Sequence, residues 1–120
     1  MNVVNLRDSL ARFSTHWDPK IVGELNGQHV KLVKLFGSFV WHKHETEDEL
    51  FLVISGSFDM EYRDRTSTVH EGEFVIVPRG MEHRPVAARE AHVLLFEPAS
   101  TLNTGDTQGP LTVRSPERLA

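Results

Sequence analysis

Three metal-ligand side chains, His42, His44 and Glu49, fall within eight residues of this chain, and a further imidazole follows at His83. On an extended segment alternate side chains share a face, so His42 and His44 project together, about 6.6 Å apart along the backbone. Imidazoles at that spacing can close on a cation lying about 2.0–2.1 Å from each nitrogen, and Glu49 with His83 would complete a mixed shell of nitrogen and oxygen. With seven histidines in 120 residues, one His-x-His pair can also arise by chance on an exposed strand. A lone His83 after a turn is more often a surface residue than a ligand.

The punctuation around these residues raises the pattern above chance. The first segment reads Gly37, four residues, His42-Lys43-His44, four residues, Glu49, six residues, Gly56. The second reads Gly72, five residues, Pro78-Arg79-Gly80, two residues, His83. These resemble the two motifs of the cupin superfamily, and the fifteen residues between Gly56 and Gly72 match a short inter-motif loop. The resemblance implies that His42, His44, Glu49 and His83 are ligands of one divalent metal ion per chain. Two departures are visible: the first glycine sits one residue closer to the histidine pair than in the usual pattern, and Ala87 stands where an asparagine is expected. Neither position is a ligand, so both bear on the substrate side. The stretch Glu97-Pro98 followed by Asn103-Thr104-Gly105-Asp106 resembles the end of small bacterial stand-alone cupins, many of them described as mannose-6-phosphate-isomerase-like.

A shell of three imidazoles and one carboxylate suits Fe, Mn, Ni, Co or Zn as divalent ions, and the absence of thiolate disfavours Cu(I). Four protein ligands on an octahedral ion leave two adjacent positions open, whereas on tetrahedral zinc they would close the site and make it structural. Histidines bind metal only when neutral, so occupancy is expected to fall as pH drops through about 6. Cupins host many chemistries, so fold alone does not name the reaction. The first expectation is a metal-dependent enzyme of dioxygenase or isomerase type acting on a small oxygen-rich molecule bound in the barrel. Glu49 would then double as a catalytic base. The alternative is a non-catalytic module that binds or senses a small molecule or the metal itself. Sugar-phosphate isomerisation is the weakest reading, because only Arg79, Arg84 and Arg89 lie near the second motif.

The elements that position these residues follow from periodicity. Leu6, Leu10 and Phe13 recur at helical spacing behind a possible N-cap at Asn5, which predicts a short N-terminal helix over 5–13. From residue 20 short apolar runs alternate with turn residues. The pattern predicts strands near 20–25, 29–36, 39–43, 49–55, 58–63, 66–70, 74–77, 83–87 and 91–97, with an Asn26-Gly27 hairpin. So many short strands fit an all-β double-sheet jelly roll (the cupin barrel, or double-stranded β-helix), with residues 1–19 as an N-terminal extension, 20–98 as the barrel and 99–120 as an extended surface tail. Pro78 at the second position of a Val77–Gly80 turn would redirect the chain and aim His83.

Strand parity then assigns faces. Val40, Phe51, Val53, Phe74, Ile76 and Pro85 are expected to line an apolar cavity, with Phe58, Met60 and Tyr62 as its far wall. Trp41 and Lys43 alternate outward, and His16, His29, His70 and His92 are expected to be structural or exposed. Around Glu49 the strand is apolar on both faces, since Leu50, Leu52 and Ile54 oppose Phe51 and Val53, so something must cover its back. By resemblance to other small cupins that cover is a second copy, giving a homodimer; the helix or the tail could serve instead.

Composition excludes several classes. The net charge is −4 and the basic residues are scattered, which argues against a nucleic-acid surface. There is no cysteine, hence no disulfide framework and no sulfur nucleophile. No apolar signal core or membrane-length stretch is present, and a cytoplasmic setting without membrane contact is the expectation.

Overall fold

The computed structural model describes residues 2–119. Asn5 caps helix α1 (Leu6–Leu10), its Oδ1 accepting from the Asp8 N–H at 2.9 Å. Five residues are too few to be helical alone. The helix holds because Leu6 and Leu10, with Phe13 beyond its end, pack on Val22, Leu32, Ile54 and Leu94. It ends three residues short of the expected boundary.

Eight strands follow: β1 (Lys20–Leu25), β2 (Gln28–Ser38), β3 (Glu49–Ser55), β4 (Ser57–Tyr62), β5 (Thr66–His70), β6 (Phe74–Val77), β7 (His83–Pro98) and β8 (Glu117–Arg118). They form the two-layered jelly roll that the patterning predicts. β7 is its spine. Its first arm pairs with β4 and with the end of β2; its second arm pairs with β2 and β3. β5 extends the first layer beyond β4, while β6 extends the second beyond β3 and β1 beyond β2. The register with β2 shifts opposite Ala88, Arg89 and Glu90, which are exposed at the corner between the arms. The main core lies between the layers, built from Val33, Leu35, Phe51, Val53, Phe58, Met60, Tyr62, Val69, Val77, Val93 and Leu95 among others.

Four local expectations change. The segments 83–87 and 91–97 are one strand, because an irregular corner rather than a turn joins them. Residues 39–43 form no strand; their pairing shrinks to a single bridge between His42 and His83. β6 has the opposite parity to the one expected. Glu49 pairs with Val77 and Phe51 with Val75, so Val77 and Val75 face inward, while Phe74 and Ile76 point outward at 60 % and 53 % exposure. Parity cannot be carried across the intervening hairpin; only the register fixes it. The C-terminal segment is also more than a surface tail: Thr101 and Thr104 are buried, Leu111 packs on the core, and β8 adds to β1 in parallel.

The back of β3 is partly covered within the chain. Ile54 and Leu94 lie under the helix, with Leu119 of the tail joining them. Leu50 and Leu52, paired with Ile76 and Phe74, remain half-buried.

Candidate metal centre

The four residues expected to bind metal converge. His42, His44, Glu49 and His83 are all buried, and each offers a ligand atom within 4.8 Å of those of the others. His42 and His44 sit in the irregular segment between β2 and β3, Glu49 opens β3, and His83 opens β7. Reciprocal backbone bonds lock His42 to His83, at 3.1 Å from His42 N–H to His83 O and 2.9 Å in return. The glycine-proline turn contributes more than aim. Gly80 N–H donates to His44 O at 2.7 Å, and Met81 N–H closes the turn on Pro78 O at 3.2 Å. The turn thus begins one residue later than expected, and its third residue, Gly80, has φ +78°, a backbone region that favours glycine. Arg79 grips Asp48 through its backbone N–H at 2.8 Å and its guanidinium at 3.2 Å, stapling the second motif to the loop that carries the first.

The imidazoles are oriented for a cation. Nδ1 of His42 lies 2.9 Å from Val40 O, and Nδ1 of His83 lies 2.9 Å from Met81 O. A carbonyl only accepts, so both Nδ1 atoms carry hydrogen, and both Nε2 atoms are left turned toward the cluster. Backbone carbonyls commonly orient metal-binding histidines in this way. Nε2 of His44 and of His83 lie 3.0 and 3.4 Å from Glu49 Oε1. All three atoms are buried without a hydrogen-bond partner of adequate geometry. Buried polar atoms left unpaired are costly, and here they face one another around one point. That donor set fits a divalent ion.

Electrostatics agree. Burial, aided by neighbouring His83, pushes the His42 imidazole down to about 4, so it stays neutral. Burial alone would raise the Glu49 carboxyl, but contact with His44 and His83 outweighs it and holds Glu49 well below the usual carboxylate range. Burial likewise opposes charging of His44, yet Glu49 beside it leaves that imidazole above its ordinary value. A cation must therefore displace a proton from His44. Metal affinity should fall as pH drops below the pKa of His44, and above it the curve should flatten. Because His44 is raised, the decline begins at higher pH than unperturbed histidines would give. Chelator-competition titrations between about pH 5 and pH 8 check this; an affinity that does not change with pH over that range contradicts it.

Above the donors lies a small apolar cavity of about 30 Å³, lined by Trp17, Pro19, Val33, Leu35, Phe39, Phe51, Pro85 and Leu95 with His42, Glu49 and Asn103. Of the residues expected there, Phe51 and Pro85 line it. Val40 and Val53 belong to the surrounding core, and Phe74 and Ile76 lie outside. Trp17 was not foreseen as a wall. Its indole stacks on Phe39 with ring centroids 4.7 Å apart and donates to Phe36 O at 2.9 Å, on a backbone with φ 57°. Asn103 was also missed; its amide is spent on Leu111 O and Val113 N–H at 2.9 and 2.8 Å. Lys31 and Glu97 form a buried pair at 3.3 Å. Strand alternation carries a signal for both, because Lys31 shares parity with Val33 and Leu35, and Glu97 with Val93 and Leu95. Burial, reinforced by neighbouring Glu49 and opposed by Lys31, raises the Glu97 carboxyl well above its usual range. The remaining histidines behave as expected: His16 and His92 flank Glu90 at 2.9 and 2.8 Å, His29 is buried near Glu24, and His70 is exposed.

Comparison with known proteins agrees with this fold. A cupin-2 domain containing protein from Shewanella frigidimarina is 40% identical, with 80% of this chain and 94% of that one covered and a TM-score of 0.79. Protein YdbB of Bacillus subtilis is 31% identical over 64 residues, which make up 52% of this chain and 57% of that protein. A Sphingomonas hydroquinone 1,2-dioxygenase, solved with 4-nitrophenol, shares the fold at 19% identity and a TM-score of 0.71, with 82% of this chain covering 33% of that one. Residues 29–97, more than half of the sequence, match the Cupin domain family, and the chain belongs to it.

Proposed function

We propose that this protein is a divalent-metal-dependent enzyme acting on a small oxygen-rich molecule, of dioxygenase or isomerase type. The observation that carries the reading is the juxtaposition of four convergent donors with an apolar cavity that Glu49 itself lines. A divalent ion held by His42, His44, Glu49 and His83 would supply Lewis acidity and, if it is iron, a means of using dioxygen. The chain's own residues do the rest. Phe39, Phe51, Leu95 and Pro85 exclude water and select a compact, mostly apolar body. Glu49, which lines the cavity, would serve as the base that takes a proton from a bound substrate. A volume of about 30 Å³ holds about two waters, so a larger substrate must widen the cavity as it binds.

The sugar-phosphate reading finds little support. Arg79 is taken by Asp48, Arg84 pairs with Glu61 at 2.7 Å and lies over Trp41, and Arg89 sits at the exposed corner of β7. None of the three lines the cavity.

Metal analysis of the purified protein, followed by an oxygen-uptake screen with small diketones and phenols, tests the reading. Iron-dependent uptake supports the oxygenase branch. Full metal loading with no product in any redox or isomerase assay would leave the non-catalytic binding module in its place. The homodimer belongs to the same proposal, supported by the exposed pair Phe74 and Ile76 beside half-buried Leu50 and Leu52. Light scattering should give a dimer for the natural sequence and a monomer for Phe74→Glu/Ile76→Glu; a monomeric natural protein would sink it.

A further inference from the structure

The Lys31–Glu97 pair lies in the interior of the sheet layer that carries Glu49. Its side chains are only 2 % and 1 % exposed. Burying an ammonium and a carboxylate is a weak route to stability, because the loss of hydration offsets most of their attraction. Position explains the pair better. On β3 and β7, Leu50 pairs with Phe96 and Phe51 with Leu95, so the next step along the ladder sets Glu49 opposite Glu97 on the same inward face. Both side chains are buried, at 3 % and 1 % exposure, so the two carboxyls are neighbours across the ladder. Lys31 Nζ holds Glu97 Oε2 at 3.3 Å, while Glu97 Oε1 is buried without a hydrogen-bond partner. On the opposite flank, Glu49 Oε1 is turned toward His44 and His83.

We propose that Glu97, anchored by Lys31, is a positioning residue for Glu49, fixing its carboxylate so that one oxygen stays aimed at the imidazole cluster. A free glutamate would have to order its rotamers on binding; this one is ordered beforehand. The inference rests on the metal-binding reading above. Groups that orient a metal ligand in this way commonly contribute about 10–100-fold to affinity.

The test uses pairs of substitutions that leave no orphaned charge. Lys31→Met/Glu97→Leu fills the same space with apolar side chains, and its fold should be at least as stable as the parent's. Its metal affinity, by chelator competition, should fall about 10–100-fold, and the visible spectrum of its Co(II) form should shift. Lys31→Met/Glu97→Gln keeps a polar side chain of the same length beside Glu49 and should restore both affinity and spectrum. If the apolar pair does not fold, Glu97→Asp keeps a carboxyl for Lys31 but withdraws it by one methylene from Glu49, with a tenfold loss expected at the least. A folded variant with parental affinity and spectrum overturns the inference alone. A parent protein that takes up no metal would instead overturn the reading on which it rests.

Discussion

His42→Ala/His44→Ala should abolish metal loading while the barrel remains folded. The two residues supply half of the converging donors, and the pair left behind, Glu49 and His83, lie on separate strands with nothing to complete a shell. Loss on the order of 10³-fold or more is expected, beyond the 10–100-fold that orienting groups carry. The fold tolerates the change because neither imidazole belongs to a strand ladder, and the main core between the layers is built without them. Elemental analysis and thermal melts of the metal-free proteins check both halves. His16→Ala/His92→Ala is the matched control and should load normally. Full loading of the first variant would refute the assignment.

Gly105→Val should be the most damaging single change outside the donor set. Gly105 has φ +55°, and a Cβ there would overlap Lys43 O and press within 3.2 Å of His42 Cδ2. The contact is backbone against backbone, so no side chain can swing aside. The neighbouring bonds fix it from both directions: Asp106 N–H donates to Lys43 O at 3.1 Å, and Lys43 N–H donates to Asp106 Oδ1 at 3.0 Å. Thr107 Oγ1 adds a bond to Trp41 O at 3.0 Å. Valine must therefore pry the C-terminal segment off the histidine loop. A stability loss of about 3 kcal/mol is expected, with Tm lower by on the order of 10 °C, and metal affinity should fall with it as His42 loses its support. Unchanged Tm and unchanged affinity would show that the segment is not a structural part of the site.

The donor residues were legible in the sequence because their types and intervals do the chemistry directly. His42, His44, Glu49 and His83 each carry a ligand atom, and the glycines and Pro78 around them mark the turns that bring them together. The helix, the Asn26-Gly27 hairpin and most strands followed from local periodicity in the same way. What failed depended on pairing over distance. The outward turn of Phe74 and Ile76 is set by the register of β6 on β3, which no local pattern records. The walls formed by Trp17 and Asn103 come from segments that no strand periodicity governs. The backing of Glu49 by Lys31 and Glu97 becomes visible only once β2, β7 and β3 are adjacent.

The corner in β7 has a consequence of its own. His83 opens this strand and Glu97 lies near its end, yet His83 Nε2 lies 3.4 Å from Glu49 and the ladder sets Glu97 opposite the same residue. Fourteen residues of straight strand would separate them by about 46 Å, longer than the whole molecule at 42 Å. The strand therefore closes on itself like a clasp, with Glu49 as the catch. Each arm keeps its own ladder, so lengthening or trimming the exposed stretch 88–90 would alter the angle of the clasp without slipping either register. The breadth of the chamber could then drift over evolutionary time from a point remote from the donors, while the grip on the cation stays intact.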